Sequence, residues 1–107
     1  MSSSYVNKNF KNTVLKAKDQ TDLKNWKRTN NYNNELNFEI KKDLTKWRIR
    51  FIFIERNVII NLQKIELKKS MVNLYEIKDI SSVFFKLNSD SKSMIAAIKF
   101  ILTTIDD

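Results

Sequence analysis

Lys46, Arg48 and Arg50 stand at alternate positions in the stretch from Thr45 to Glu55. Residues two apart on an extended chain share a face, so these three cations project together if the stretch is a strand. A row of this kind can neutralise phosphate oxygens, and the arginines can grip them with two hydrogen bonds at a time. Lys41 and Lys42 lie just ahead of the row, and Lys16, Lys24, Lys27 and Arg28 lie further upstream. Trp26 falls among these cations, and Tyr32 follows them. Cations that hold a backbone beside aromatic rings that stack on bases are the means by which proteins bind single-stranded DNA and RNA. The set Lys16, Lys24, Trp26, Lys27, Arg28, Lys41, Lys42, Lys46, Arg48 and Arg50 is therefore the candidate surface for nucleic acid or for an acidic protein. The plainer account of the same residues is a solvated helix face followed by a half-exposed sheet.

Other chemistries lack their residues. The chain contains no histidine, cysteine or glycine. Without histidine it lacks the side chain that titrates near neutrality and the commonest metal ligand. Without cysteine as well, an ordinary zinc site and a thiolate nucleophile are both missing. Without glycine, neither a P-loop nor a dinucleotide-binding turn can bring backbone close to phosphate. Carboxylates alone could hold Mg²⁺, and the closest pairs are Glu35 with Glu39 and Glu76 with Asp79. Such spacing is also ordinary for solvated surface carboxylates. The sequence thus points to a binding protein rather than an enzyme, with no catalytic residue, no metal site and no cofactor.

The net charge is +8, which by itself suggests an anionic partner. That total is coloured by composition. Lys, Asn and Ile abound while Gly, Pro, Cys and His are absent, the pattern of a very AT-rich genome such as that of a parasite, an endosymbiont, a phage or a plasmid. The distribution of charge is more telling than its sum. Residues 1–50 carry 12 cations against 5 anions, whereas residues 51–107 carry 8 against 7. Codon bias does not produce that asymmetry.

At 107 residues and 42% hydrophobic, the chain has material for one domain and one modest core. The longest apolar run, residues 94–105, is interrupted by Lys99 and falls well short of the ~20 residues that span a bilayer, so no membrane insertion is expected. The polar start lacks the apolar centre of a secretory signal, and the cysteine-free composition favours an intracellular address, cytoplasmic or nuclear. The absence of acid before Asp19 leaves a mitochondrial one open.

The elements that would position the candidate surface follow from periodicity. Residues 1–9 read as a polar tail and residues 10–28 as a basic helical segment, broken near residues 19–22 where Thr21 or Asp22 can cap a second turn. Residues 29–34 read as a loop, in which asparagine takes over glycine's role in turns. Asn57 and Asn88 are marked as turn residues on the same ground. Strands are expected within residues 36–87. The first runs through Leu36, Phe38 and Ile40, and the central one puts Trp47, Ile49, Phe51 and Phe53 in the core. A return strand runs from Val58 to Leu67, with a bulge near Gln63 to absorb a change of phase. Two more follow, over residues 71–77 and 80–87. Residues 90–105 carry Met94, Ile95, Ile98, Ile101, Leu102 and Ile105 as one helical stripe.

The fold expected is α+β: an N-terminal helical segment, an antiparallel meander of four to five strands, and a C-terminal amphipathic helix packed on one sheet face. Two functions fit it. One is a small basic protein that contacts RNA or single-stranded DNA through its N-terminal half and central strand, alone or within a larger nucleic-acid complex. The other is an inhibitor, immunity or adaptor protein that meets an acidic partner. For the latter, apolar Ile52 and Ile54 on the outer strand face and Phe100 off the helical stripe are the residues to watch, and they would equally serve a homodimer.

Overall fold

The computed structural model describes residues 2–30, 34–55, 57–68, 74–86 and 91–106. Helix α1 (Ser2–Asp19) leads through a 3₁₀ turn (Asp22–Asn25) into strands β1 (Lys27–Asn30), β2 (Glu35–Lys42), β3 (Thr45–Ile54), β4 (Asn57–Lys68) and β5 (Leu74–Lys86). Helix α2 (Ser91–Asp106) follows. The strands form one antiparallel sheet in the order β1-β2-β3-β4-β5. This is the α+β meander that periodicity implied, with the C-terminal helix against the sheet.

The N-terminal region departs from expectation. Residues 2–9 are the first turns of α1 and not a tail. No proline or glycine interrupts residues 2–19, and extending a helix costs far less than starting one. Thr21 ends the helix and opens the next turn. Its hydroxyl donates to the Lys18 carbonyl at 3.0 Å and accepts from the Leu23 amide at 3.2 Å. Buried Leu23 and Trp26 then drop into the core, and the chain turns to pair with β2. The helix does not reach Arg28, because residues 27–30 are an edge strand with Lys27 opposite Glu39 and Arg28 opposite Phe38.

Both central hairpins have two-residue turns, with Lys42 paired to Thr45 and Ile54 paired to Asn57. The first residue of each takes the left-handed backbone, Asp43 at φ 58° and Glu55 at φ 52°. Glycine's work is therefore done by an aspartate and a glutamate. Asn57 is instead the first residue of β4, and Asn88 lies outside the described residues. Glu has no special tolerance for this conformation. Replacing Glu55 by Gly relieves the Cβ clash and loses part of the gain through unfolded-state entropy, so Glu55→Gly should stabilise by about 0.5–1 kcal/mol in urea unfolding.

One long strand, β5, stands where two short ones were expected. Residues 71–73 and Leu87 of those expected strands lie outside the described residues. The register shift does fall at Gln63, between Leu62 and Gln63, but the extra residue is on the partner strand. β4 runs through without a bulge, while its partner skips a residue: Leu62 pairs with Ser81 and Gln63 with Asp79, which leaves Ile80 of β5 as the extra residue. Ile65 consequently faces away from Val58, Ile60 and Leu62.

The core lies on one face of the sheet. Leu36, Phe38, Ile49, Phe51, Phe53, Val58, Ile60 and Leu62 meet Val14 and Ala17 of α1 and Met94, Ala97, Ile98 and Ile101 of α2. Lys11 and Lys18 of α1 lay their ammonium groups over the Phe53 and Phe38 rings at 5.9 and 5.0 Å, so each is partly a core-covering side chain. Both helices thus share one layer, and the opposite face of the sheet carries no described element. Among the described residues, no helix is long and apolar enough to cross a membrane.

Candidate binding surface

The uncovered face is built by register. Opposite residues across β2, β3, β4 and β5 form rows, and three of these rows decide its character. Glu39, Arg48, Gln63 and Asp79 make one, and Asn37, Arg50, Asn61 and Ser82 the next. Beside them, Glu35 of β2 heads a row whose other members, Ile52, Ile59 and Phe84, are apolar. A polar band therefore crosses the middle of the sheet.

Arg48 and Arg50 are committed within this band. Arg48 Nε donates to Glu39 Oε2 at 2.9 Å, and Arg50 Nε reaches diagonally to Glu35 Oε1 at 2.7 Å. Lys46 shares Glu39, with Nζ 3.4 Å from Oε1. The Glu35 and Glu39 side chains are only 16% and 13% exposed, so the cations that cover them are the carboxylates' counter-charges. With its amide nitrogen turned toward Glu35, Asn37 adds a donor to Oε1 at 3.1 Å. Further along, Asn61 Nδ2 donates to Ser82 Oγ at 3.0 Å, and Gln63 Nε2 to Asp79 Oδ1 at 3.0 Å. Asn61 Oδ1 and Gln63 Oε1 are shielded from solvent without a hydrogen-bond partner. They sit opposite Arg50 and Arg48, where the positive charge offsets part of their desolvation.

The remaining candidates gather at one end of the sheet. β1 begins, β2 ends and β3 begins there, which brings Lys27, Lys41, Lys42 and Lys46 close in register with Arg28 beside them. Lys24 lies in the 3₁₀ turn that feeds β1, and Lys16 in the last turn of α1 above it. Lys16, Lys24, Lys27, Arg28, Lys41, Lys42 and Lys46 are all exposed. Strand alternation sends Lys27, Lys41 and Lys46 to the uncovered face, and Arg28 and Lys42 to the helix side. Cations therefore wrap the corner from both sides. Asp19, Asp22, Glu39, Asp43 and Glu66, the last opposite Thr45, are acids at this end, so the seven cations keep only a small positive excess.

Trp26 belongs to a different part of the molecule. It is 5% exposed within the core cluster and presents no ring for stacking, while Tyr32 lies outside the described residues. Trp47 is half-buried with Lys64 Nζ 5.6 Å from its ring centre. An open groove between the 3₁₀ turn and α2 is lined by Asp19, Asp22, Lys24, Lys99 and Leu102 among others. Its lining mixes both signs of charge without convergent groups.

Glu35 and Glu39 are the residues of the band whose role sequence reasoning missed. They stood out as a carboxylate pair spaced for a metal and not as partners of Arg48 and Arg50. The signal was the tight connection after Lys42: a two-residue turn at 43 and 44 forces residue 39 opposite residue 48. Comparison of this chain with protein-family models, with curated proteins and with solved structures yields no match.

Proposed function

We propose that this chain is a non-enzymatic binding protein that holds RNA or single-stranded DNA by its phosphates at the basic corner, alone or as a subunit of a nucleic-acid complex. The observation that carries the reading is the register of β1, β2 and β3, which collects Lys27, Lys41, Lys42 and Lys46 at one end beside Arg28 and Lys24. Exposed cations on short, fixed elements form an electrostatic footprint at little ordering cost. The role of the central strand narrows accordingly. Lys46 contributes to the corner, while Arg48 and Arg50 hold Glu39 and Glu35 and shape the sheet behind it. With few exposed rings nearby among the described residues, affinity comes from backbone charge and is tolerant of sequence.

The test is a fluorescence-anisotropy titration with labelled single-stranded RNA and DNA over a range of salt. If four to six phosphates are engaged, log K should fall with log salt with a slope of about −3 to −4. Absence of binding at low salt overturns the reading. Weight would then pass to an acidic protein partner, for which Ile54, 46% exposed on the uncovered face, offers an apolar contact.

A further inference from the structure

The sheet has two edges, and they are unlike. β1 is four residues long and polar throughout, whereas β5 runs for 13 residues. β5 also holds three of the large apolar side chains that stand exposed: Ile77 at 54%, Ile80 at 41% and Phe84 at 63%. Proteins commonly keep edge strands short, covered or heavily charged, because unpaired backbone groups recruit another strand. A long edge carrying exposed isoleucine and phenylalanine has the character of a pairing site.

Its sequence selects a partner. Because the extra residue Ile80 reverses the alternation, odd-numbered residues up to Asp79 and even-numbered residues from Ser82 onward lie on the uncovered face. Two copies of β5 running antiparallel about a twofold axis can match faces only in alternate registers. In one of these, Ile77 stands opposite Phe84 of the second copy and Asp79 opposite Ser82, each pair occurring twice. The Ser82 hydroxyl accepts from Asn61 and keeps its own proton to donate to the opposing Asp79 carboxylate. On the uncovered face the polar band of one sheet continues into the band of the other and the apolar Ile77 and Phe84 meet, while on the helix side the same register sets Lys78 opposite Val83. A slip of two residues either way sets Phe84 against Asp79 or Ile77 against Ser82, losing the match.

We propose that β5 is a self-association edge at which a second copy of this chain adds its own β5 antiparallel, with Ile77 opposite Phe84, to make one continuous ten-stranded sheet. The proposal does not draw on the polyanion reading: the corner's cations sit on β1, β2 and the start of β3, and the nearest of them, Lys46, is two strands from Ile77. The isologous arrangement closes on itself and leaves no further long edge for a third copy.

The chain has no native cysteine, so engineered ones report without background. Ile77→Cys/Phe84→Cys places two thiols at directly opposed positions, where Cβ atoms lie ~5 Å apart, near disulfide span. Within one chain the same positions are roughly 23 Å apart along the strand and cannot close. Mild oxidation of the double variant should give a covalent dimer of twice 12.8 kDa, while Ile77→Cys alone stays unlinked. Unmodified protein should sediment as a dimer, and Phe84→Lys as a monomer with unchanged far-UV circular dichroism. A folded, unmodified chain that sediments as a monomer at its highest soluble concentration overturns the proposal. So does cross-linking of Ile77→Cys alone as readily as of the pair, which would place the contact elsewhere. Retained polyanion binding by monomeric Phe84→Lys would show the two surfaces to be separate, and its loss would overturn their independence.

Discussion

Phe51→Ala should lower the urea midpoint of the chain sharply while leaving it folded without denaturant. Phe51 is fully buried at the middle of the central strand, opposite Leu36 on β2 and Ile60 on β4. Its ring meets Phe38 edge to face, with centroids 5.9 Å apart and planes at 82°. Truncation removes that aromatic contact and opens a cavity that three strands and a helix layer cannot all collapse into, at a cost of about 3–5 kcal/mol. A domain of this size has roughly 5–15 kcal/mol in total, so the loss is a large fraction of the margin. Urea unfolding monitored by tryptophan fluorescence measures the loss. Ile54→Ala, at a side chain 46% exposed on the uncovered face and away from the β5 edge, is the control and should cost under about 1 kcal/mol in the same assay. Equal costs at the two sites would mean that the helices do not cover the face assigned to them.

A pair of multiple variants should separate binding from stability. Lys41→Ala/Lys42→Ala/Lys46→Ala strips the basic corner of three exposed ammonium groups, one of which shares a glutamate with Arg48. It should flatten the salt slope by about two and weaken polynucleotide binding on the order of ten- to hundredfold at low salt, with stability changed little. Arg48→Ala/Arg50→Ala has the opposite profile. It leaves Glu35 and Glu39 without their closest counter-charges, and those carboxylates are mostly buried. The fold should lose about 1–3 kcal/mol, while the anisotropy titration under native conditions shows a much smaller change than in the lysine variant. If the arginine variant instead abolished binding with its stability intact, the phosphate contact would belong to the sheet face and not to the corner.

How much of this was readable beforehand differs by element, for physical reasons. β3 announced itself because strict alternation of aromatic and branched residues has one reading. α2 did so through a stripe at helical spacing, and Met94, Ile98 and Ile101 are indeed buried. β1 could not be read, since Lys-Arg-Thr-Asn contains no apolar residue and becomes a strand only because the β2 edge is there to pair with it. β5 was divided in two because its alternation breaks at Ile80, and a bulge looks like a boundary when the partner strand is not in view. The candidate surface was legible as an inventory of cations but not as an arrangement. Whether a cation faces water or a carboxylate depends on what lies across the sheet, and Arg48 changed meaning once Glu39 stood opposite. Trp26 illustrates the converse. Its cationic neighbours suggested a surface role, yet the 3₁₀ turn tucks it beneath the sheet edge.

The nearest-neighbour order of the strands also governs how this chain reaches its folded state. Each strand pairs with the one that follows it, and the two central hairpins close through two-residue turns. These steps sacrifice little chain entropy and can proceed one after another along the sequence. The helix layer is different, because Val14 and Ala17 share a cluster with Met94, Ala97, Ile98 and Ile101, some eighty positions away. The apolar side of the growing meander therefore has only α1 to shelter it until α2 arrives. The stage most open to sticking is a nearly complete sheet awaiting its last helix.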